Sequence, residues 1–250
     1  MRIAVAGGTG TVGKPVVEVL RERGHEAVVL ARSTGVDLRT GAGLDLSGVD
    51  AVVDLTSLVT RSTGEATEFF EQVTANLHRA ERAAGVRHHV LLGIVGSDAV
   101  PFGYYTGKMA QERAVERGPV PWTLLRATQF HEFAGQPQGG VRVGPLTLVP
   151  AMRVNPVAAR EVAERLVDLA VGEPRGRVRD LGGPENLELD DMIRRYGAAT
   201  GRGGRVLRFP LPGKAGRAFR AGALLARGDA DRGTQTFAQW LATRRDRTHS

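Results

Sequence analysis

The sequence contains no cysteine among its 250 residues. A chain without thiols has no disulfide, no thiolate zinc site, no iron–sulfur cluster and no catalytic cysteine. It also lacks an apolar run of the roughly 18 residues that span a bilayer, and it does not open with a basic segment followed by an apolar signal core. We therefore expect a cytoplasmic protein that has no membrane partner.

Lysine is scarce, since Lys14, Lys108 and Lys214 are the only lysines and arginine supplies the other basic side chains. The first 125 residues carry 13 basic and 14 acidic side chains, whereas the remaining half carries 21 and 13. A basic half can indicate a polyanionic partner or a solvated arginine-rich surface. Because no reading helix or aromatic–basic surface is recognisable, we expect no nucleic-acid partner.

Short apolar runs alternate with stretches of helical spacing in the first 130 residues. Val16, Val17 and Leu20 mark a first helix, a longer helix stops at Gly85, and a third covers residues 104–117. Apolar strands alternating with helices predict an α/β fold, a Rossmann-type doubly wound parallel sheet. The predicted strands cover residues 3–6, 26–31, 51–55, 90–95 and 122–126.

The alternation weakens beyond Phe130, where glycines and prolines separate shorter elements. We expect a core, residues 1–130, and a smaller C-terminal substrate-binding region, residues 131–250, packed together as a single structural unit. The elements predicted in the second region are helices over 158–171 and 191–196, the latter with Asp190 as N-cap, a strand over 205–212 and a terminal helix over 234–242.

A glycine-rich turn separates the first predicted strand from the first helix. It reads GGTGTVG over residues 7–13, which is the spacing G-x-x-G-x-x-G. Such glycines allow a tight turn, let backbone amides approach a pyrophosphate and let helix and strand pack closely. The motif predicts a dinucleotide site. The residues expected to bind the diphosphate are Gly7, Thr9, Gly10, Thr11, Val12 and Gly13.

The same turn also matches the core of a P-loop, G-x-x-x-x-G-K, from Gly8 to Lys14. A P-loop needs a serine or threonine hydroxyl for Mg²⁺ directly after its lysine. Pro15 occupies that position and offers neither a hydroxyl nor an N–H. We therefore do not expect ATP hydrolysis.

The second strand ends in Ala31-Arg32-Ser33 and carries no carboxylate there. An arginine at this position pairs with the 2′-phosphate of a dinucleotide, whereas a carboxylate accepts from a free 2′-hydroxyl. We therefore expect NADP(H) to be preferred over NAD(H), with Arg32 and Ser33 in the site. Arg32 could instead end a strand at the surface, and Asp37 could either reach the adenine or form a turn.

Tyr104 and Lys108 lie four residues apart in the third predicted helix, so they share one face. A phenol has a pKa of about 10, and a nearby ammonium lowers it because positive charge favours the phenolate. The spacing indicates a catalytic pair in which Tyr104 moves a proton. Tyr105, three residues before Lys108, is the alternative phenol.

With these motifs the sequence resembles the short-chain dehydrogenase/reductase superfamily, most closely its atypical NmrA-like branch. The resemblance implies an NAD(P)H-binding Rossmann core and hydride transfer, with Tyr104 protonating the substrate oxygen. It further implies that Lys108 lowers the pKa of that phenol and holds the nicotinamide ribose. The segments that carry the resemblance are 7–13, 51–54, 104–108 with Glu112, 121–126, 129–130 and 156–163.

One residue departs from the pattern of catalytic members. They place a serine or threonine at the end of their fifth strand, which corresponds to the predicted strand 90–95 of this chain, and Gly93 stands at that position. Ser97 is the first hydroxyl that could replace it, although a serine in Gly-Ser-Asp can simply form a turn. Losing this hydroxyl would weaken carbonyl reduction without affecting cofactor binding. The branch also includes cofactor-binding redox sensors that show no evident turnover.

The sequence predicts an NADPH-dependent oxidoreductase that reduces a carbonyl or an activated double bond of a small, fairly apolar molecule, as a monomer or homodimer. A cofactor-retaining isomerase or epimerase is a further alternative. No H-E-x-x-H or equivalent pattern is present, so no metal site is predicted. Substrate-binding candidates are Tyr105, Phe130, His131 and Phe133, although His131 could be a packed, hydrogen-bonded residue.

Overall fold

The computed structural model describes residues 1–60, 62–100, 102–136, 140–143, 146–201 and 203–246. The chain forms two compact units that are not continuous in sequence. The first comprises Met1–Gly93, Phe102–Arg126 and Ala159–Arg179, and the second comprises Ile94–Pro101, Ala127–Ala158 and Asp180–Ser250. Among the described residues, no helix is both long enough and apolar enough to cross a membrane.

A mostly parallel sheet forms the centre of the first unit. Its strands run in the order β2-β1-β3-β4-β5, and β9 pairs with β5. The pairs β1–β2, β1–β3, β3–β4 and β5–β9 are parallel. The strands are β1 (Arg2–Ala6), β2 (Glu26–Leu30), β3 (Ala51–Asp54), β4 (His88–Ile94), β5 (Trp122–Ala127) and β9 (Gly176–Arg177).

Four helices accompany this sheet, and local signals in the sequence fix their ends. In α2 the Ser62 side chain accepts the Glu65 amide at 3.2 Å, and Gly85 in the left-handed conformation ends the helix, as predicted. A Cβ at Gly107 would lie 2.7 Å from the Ala66 Cβ, so this glycine lets α3 approach α2 closely. The helices are α1 (Gly13–Glu22), α2 (Thr63–Ala84), α3 (Gly103–Glu116) and α4 (Ala159–Val171).

The strand order places a switch point beside β1. The chain runs from β1 to β2 on one side and then returns to β3 on the other side. In open α/β sheets ligands bind outside the carboxyl ends of the strands where the order reverses. β1 is fully buried over residues 3–6, and the glycine turn follows directly at its carboxyl end. The predicted Rossmann-type sheet is therefore confirmed, and it presents the glycine turn at its ligand-binding edge.

The second unit has smaller sheets. One is β12-β7-β6, another is β11-β8, and β10 pairs with β13 and with Ala127. The strands are β6 (Val141–Val143), β7 (Leu146–Pro150), β8 (Arg153–Val154), β10 (Leu181–Gly182), β11 (Leu187–Glu188), β12 (Arg205–Phe209) and β13 (Asp231–Arg232). The helices are α5 (Leu189–Ala199), α6 (Gly213–Arg220) and α7 (Phe237–Asp246).

The prediction of Asp190 as an N-cap is wrong. Helix α5 begins at Leu189, so Asp190 lies in its first turn and Glu188 occupies the cap position. The Asp190 carboxylate instead accepts from the Arg194 guanidinium at 2.6 Å, one turn later. A carboxylate in the first turn also interacts favourably with the positive end of the helix dipole. Acidic residues are therefore common both at the cap position and in the first turn, and the sequence does not distinguish the two.

Candidate functional site

The two ends of the glycine turn are packed too closely to accept a side chain. Gly7 has φ +78°, and its amide donates to the Leu30 carbonyl at 3.1 Å. A Cβ at Gly13 would lie 2.2 Å from the Gly7 carbonyl oxygen and 2.6 Å from the Gly8 Cα. Real Cβ atoms do not approach backbone this closely. The turn therefore requires glycine at both ends, as its motif predicted.

Helix α1 begins at the end of this turn without the usual cap. Val12 holds the cap position, and among the described residues no side chain caps it and no acidic residue lies in the first turn. The first amides of a helix lack intrahelical acceptors, and the helix dipole favours negative charge there. Thr9, Gly10 and Thr11 are exposed beside this end. These features fit a dinucleotide diphosphate, which the predicted residues would hold through backbone amides.

Arg32 lies just beyond the carboxyl end of β2. It opens a short 3-10 turn, Arg32–Thr34, in which the Thr34 hydroxyl donates to the Ala31 carbonyl at 2.8 Å. Arg32 and Ser33 are both exposed. The Arg32 guanidinium forms no hydrogen bond or ion pair with any residue that the structure describes. A cation with no partner among the described residues therefore lies where the 2′-phosphate is expected.

Asp37 takes part in a turn of its own. Its Oδ1 accepts the Arg39 amide at 2.8 Å, and its carbonyl accepts the Gly41 amide at 2.8 Å. Of the two roles considered for Asp37, these hydrogen bonds correspond to the turn-forming one. Contact with an adenine stays a prediction.

Tyr104 pairs with a hydroxyl that the sequence analysis missed. Its phenol lies 3.0 Å from the Ser57 Oγ, and either oxygen can donate. Ser57 is exposed and follows the carboxyl end of β3. A Cβ at Gly7 would lie 2.9 Å from the Leu55 carbonyl oxygen, so this segment packs against the glycine turn. The signal available in the sequence was the position of Ser57 three residues after Asp54, at the ligand-binding edge of the sheet.

Burial raises the pKa of Tyr104, and the hydrogen bond from Ser57 offsets only part of this effect. Burial also raises the pKa of the neighbouring Tyr105. The expectation that Lys108 lowers the pKa of Tyr104 is thus not met in this structure. Tyr104 remains a neutral phenol at physiological pH, and a neutral phenol can donate a hydrogen bond or a proton.

Lys108 is buried, and its ammonium is held by other partners. The Nζ donates to the Leu92 carbonyl at 2.8 Å and to the Gln111 Oε1 at 2.5 Å. It also lies 5.1 Å from the centroid of the Phe70 ring. Burial lowers the pKa of Lys108 to about 8, although Asp54 and Glu112 partly oppose this effect. The ammonium is therefore directed into the interior of the first unit in this structure.

A buried network joins Lys108 to the end of β3. The Gln111 amide donates to the Asp54 Oδ2 at 2.8 Å and to the Thr56 hydroxyl at 3.0 Å. The Thr56 hydroxyl donates to the Asp54 Oδ1 at 2.7 Å. Buried polar groups that are mutually satisfied fix the elements that carry them. The network therefore positions helix α3, which carries Tyr104, against the segment that carries Ser57.

Gly93 lacks a hydroxyl for a steric reason. A Cβ there would lie 2.5 Å from the Glu112 Oε1 and 2.9 Å from the Arg126 Cγ. Glu112 and Arg126 form a buried ion pair, with the Arg126 Nη2 2.6 Å from the Glu112 Oε2. Breaking such a pair leaves a buried charge uncompensated, which is costly. In this chain the ion pair occupies the space that a serine side chain would need.

We predict that Gly93→Ser destabilises the protein and does not raise turnover. Overpacking costs about 1–3 kcal/mol in free energy of unfolding, and displacement of the Glu112–Arg126 pair adds to it. Urea unfolding measures the loss. Gly64→Ser is the matched control, because no heavy atom lies within 4 Å of a Cβ built at Gly64. A serine at position 93 that leaves stability unchanged would contradict this packing.

The other predicted site residues belong to the second unit. Ser97 is buried and opens the 3-10 turn Ser97–Ala99, where its carbonyl accepts the Val100 amide at 3.3 Å. The structure thus shows Ser97 forming a turn. Its action on a substrate oxygen stays a prediction.

His131 is fully buried, and its Nε2 lies 3.0 Å from the Gln235 carbonyl oxygen. Aromatic rings of α7 pack around it, the Phe237 and Trp240 centroids each lying 5.7 Å away. These contacts correspond to the packed, hydrogen-bonded alternative for His131. Phe130 and Phe133 are half-buried in the same segment, and their contact with a substrate stays a prediction.

Comparisons with known proteins also point to NAD(P)H binding. A model of the NAD(P)H-binding family matches residues 7–171. The chain is 28% identical over 232 residues to the NAD(P)H azoreductase of Xenophilus azovorans, covering 84% of this chain and 77% of that protein.

Two solved structures share the fold. The UDP-N-acetylglucosamine 4-epimerase from Bacillus cereus superposes with a TM-score of 0.69 at 18% identity, over 100% of this chain and 97% of that chain. A short-chain dehydrogenase/reductase superfamily protein from Agrobacterium tumefaciens with bound NAD superposes with a TM-score of 0.66 at 17% identity, over 99% and 98%. The family match covers more than half of the chain and starts at the glycine turn, and so the chain belongs to the NAD(P)H-binding family.

Proposed function

We propose that this protein is an NADPH-dependent reductase that transfers hydride to a carbonyl or an activated double bond of a small, apolar organic molecule. The observation that carries the proposal is the Tyr104–Ser57 hydroxyl pair. Ser57 follows β3, and Leu55, two residues earlier, packs against the glycine turn. When bound, the nicotinamide coenzyme supplies the hydride. The protein's own task is then to bind the coenzyme, orient the substrate and deliver one proton.

Tyr104 is the proposed proton donor. Its phenol is protonated at neutral pH, since burial raises its pKa above the ordinary value of about 10 and does not lower it, so Tyr104 carries a proton that can pass to the substrate when negative charge develops there. Ser57 is exposed and hydrogen-bonded to the phenol, which gives Tyr104 a route to recover a proton from solvent. Lys108 acts on this pair through Gln111 and Asp54, which hold α3 against the end of β3.

The surroundings of the hydroxyl pair favour an apolar substrate. Val59, two residues after Ser57, is 71% exposed, and Phe102, two residues before Tyr104, is 39% exposed. Exposed apolar side chains beside a polar group are typical of sites for small organic molecules. One relative is named an azoreductase, and an azo bond is an activated N=N double bond. Azo compounds are therefore one substrate class to test.

We expect Arg32→Asp to weaken NADPH binding by about tenfold to a hundredfold, the worth of a charge-assisted contact with the 2′-phosphate. NADH has no 2′-phosphate, so its dissociation constant should change by about fivefold or less. Calorimetric titration with each coenzyme measures both values. Arg21→Asp, at the opposite end of α1 from the glycine turn, is the charge-matched control. If Arg32→Asp weakened the binding of both coenzymes equally, Arg32 would not be part of the 2′-phosphate site.

The activity itself is tested by following NADPH oxidation with ketones, quinones, enones and azo compounds. The proposal expects oxidation with at least one of these acceptors, and a product reduced by two electrons. No oxidation by protein that binds NADPH would contradict it. Product analysis without added coenzyme distinguishes the reductase from a cofactor-retaining isomerase or epimerase. The latter would convert its substrate without net redox chemistry.

A cofactor-binding regulator without turnover is the second candidate. It is favoured by Gly93, which leaves the fourth strand without a hydroxyl, and by Lys108, whose ammonium is directed into the interior. Such a protein would bind NADPH and show no oxidation with any acceptor. The same titration and assay therefore distinguish the two candidates.

A further inference from the structure

Helix α2 and strand β4 bring together two histidines and a glutamate outside the proposed active site. His78 and Glu81 lie three residues apart on α2, so they share a face, and His89 lies in β4. Each of the three offers one ligand atom, and these atoms all lie within 4.8 Å of one another. The sequence did not reveal this cluster because no metal-binding spacing links the helix pair to His89.

The cluster contains polar atoms that lack hydrogen-bond partners. Glu81 and His89 are fully buried. The Glu81 Oε2, the His89 Nε2 and the His78 Nε2 are buried and form no hydrogen bond with the part of the chain that the structure describes. Buried polar atoms without partners are uncommon and costly, which calls for a ligand or another explanation.

A carboxylate lies near each ring nitrogen of His89. The Glu81 Oε1 lies 2.6 Å from the His89 Nδ1, and the Asp54 Oδ2 lies 3.9 Å from the His89 Nε2. His78 is half-buried, so it is the member of the cluster that is most exposed to solvent. A Cβ at Gly118 would lie 2.2 Å from the His78 Cε1, so glycine at this position makes room for the ring.

Two imidazoles and a carboxylate form a ligand set that suits Zn²⁺ and other divalent transition metals. We propose that His78, Glu81 and His89 form a site for a divalent transition metal, with Zn²⁺ as the best match, which links α2 to β4. Binding would replace the hydrogen bond between Glu81 and His89, and the proton would pass to the buffer. This site is independent of the proposed reductase activity.

The test is a calorimetric titration of the full chain, without an affinity tag, with ZnCl₂. We expect one Zn²⁺ per chain, and we expect His78→Ala to weaken binding by about a hundredfold or more, because it removes a direct ligand. His25→Ala is the matched control, since His25 is also half-buried, and it should bind Zn²⁺ as the natural chain does. His78 is the ligand chosen because it is the least buried of the three.

Cobalt gives a second, spectroscopic test on the unmodified chain. Co²⁺ in the site should show the intense visible absorption of a four- or five-coordinate ion, and ZnCl₂ should abolish it. Absence of Zn²⁺ binding, equal binding by folded His78→Ala, or a Co²⁺ spectrum of the hexa-aquo ion would each overturn the proposal. The Co²⁺ spectrum tests the proposal even if His78→Ala does not fold, because it uses the unmodified chain. If the proposal is overturned, the cluster is a buried ion pair only.

Discussion

Replacement of Gly13 by alanine is expected to weaken NADPH binding severely. The new Cβ would lie 2.2 Å from the Gly7 carbonyl oxygen, and since that carbonyl is backbone and the backbone fixes the position of a Cβ, no side-chain rotation relieves the contact. The turn must open, and the amides at the start of α1 lose their alignment with the diphosphate. Losing two charge-assisted hydrogen bonds weakens affinity by about a hundredfold or more. Calorimetric titration with NADPH measures this loss.

Gly64→Ala is the matched control for that variant. Gly64 lies in the first turn of α2, and a Cβ there has no heavy atom within 4 Å. Alanine in a helix should stabilise the protein by at most about 1 kcal/mol and leave the NADPH dissociation constant unchanged. Gly13→Ala protein that is folded by circular dichroism and still binds NADPH normally would show that the turn does not hold the diphosphate.

Tyr104→Phe is expected to lower turnover by about a hundredfold or more, the contribution of a positioned general acid. The substitution removes one oxygen and keeps the ring, which packs 5.8 Å from the Phe70 ring centroid. The coenzyme site should therefore be intact and the NADPH dissociation constant nearly unchanged. Steady-state oxidation of NADPH with the best acceptor, together with a binding titration, separates the two effects.

Tyr105→Phe is the matched control, since this phenol neighbours Tyr104 at a ring-centroid distance of 6.1 Å. We expect it to keep most of the turnover. Full activity in Tyr104→Phe would assign the proton to water or to Tyr105. A loss in Tyr105→Phe alone would select Tyr105 as the donor.

The sheet and the glycine turn could be predicted because both leave local patterns in the sequence. β1 is buried over residues 3–6, and this burial was predictable because the run contains only apolar residues. The close approach of Gly13 to Gly7 accounts for the glycine spacing that identifies the turn. The end of α2 was equally clear, because Gly85 adopts a conformation that other residues avoid.

The position of Ser57 after β3 was a signal in the sequence, but its contact with Tyr104 could not be predicted from local spacing, because the two residues are 47 positions apart. Spacing along α3 places Tyr104 and Lys108 on one face but does not give the direction of that face. Packing of α3 against α2 decides it, and the Lys108 ammonium then lies over Phe70 and contacts Gln111. The pKa of Tyr104 follows from this burial, which no local pattern contains.

The composition of the two units also depends on long-range packing. Helix α4 lies within the predicted second region, residues 131–250, yet it belongs to the first unit. There Arg160 of α4 forms an ion pair with Glu22 of α1, and Arg23 forms another with Asp168 at 2.6 Å. The apolar stripe of α4 was visible in the sequence, but a stripe does not specify the surface against which it packs.

Calorimetric titration of the purified chain with NADPH and with NADH addresses the central claim, that the amides of the glycine turn bind a nicotinamide coenzyme. We predict one coenzyme per chain, with NADPH bound more tightly than NADH. Folded protein that binds neither coenzyme would contradict the claim and remove the basis of the proposed reductase activity.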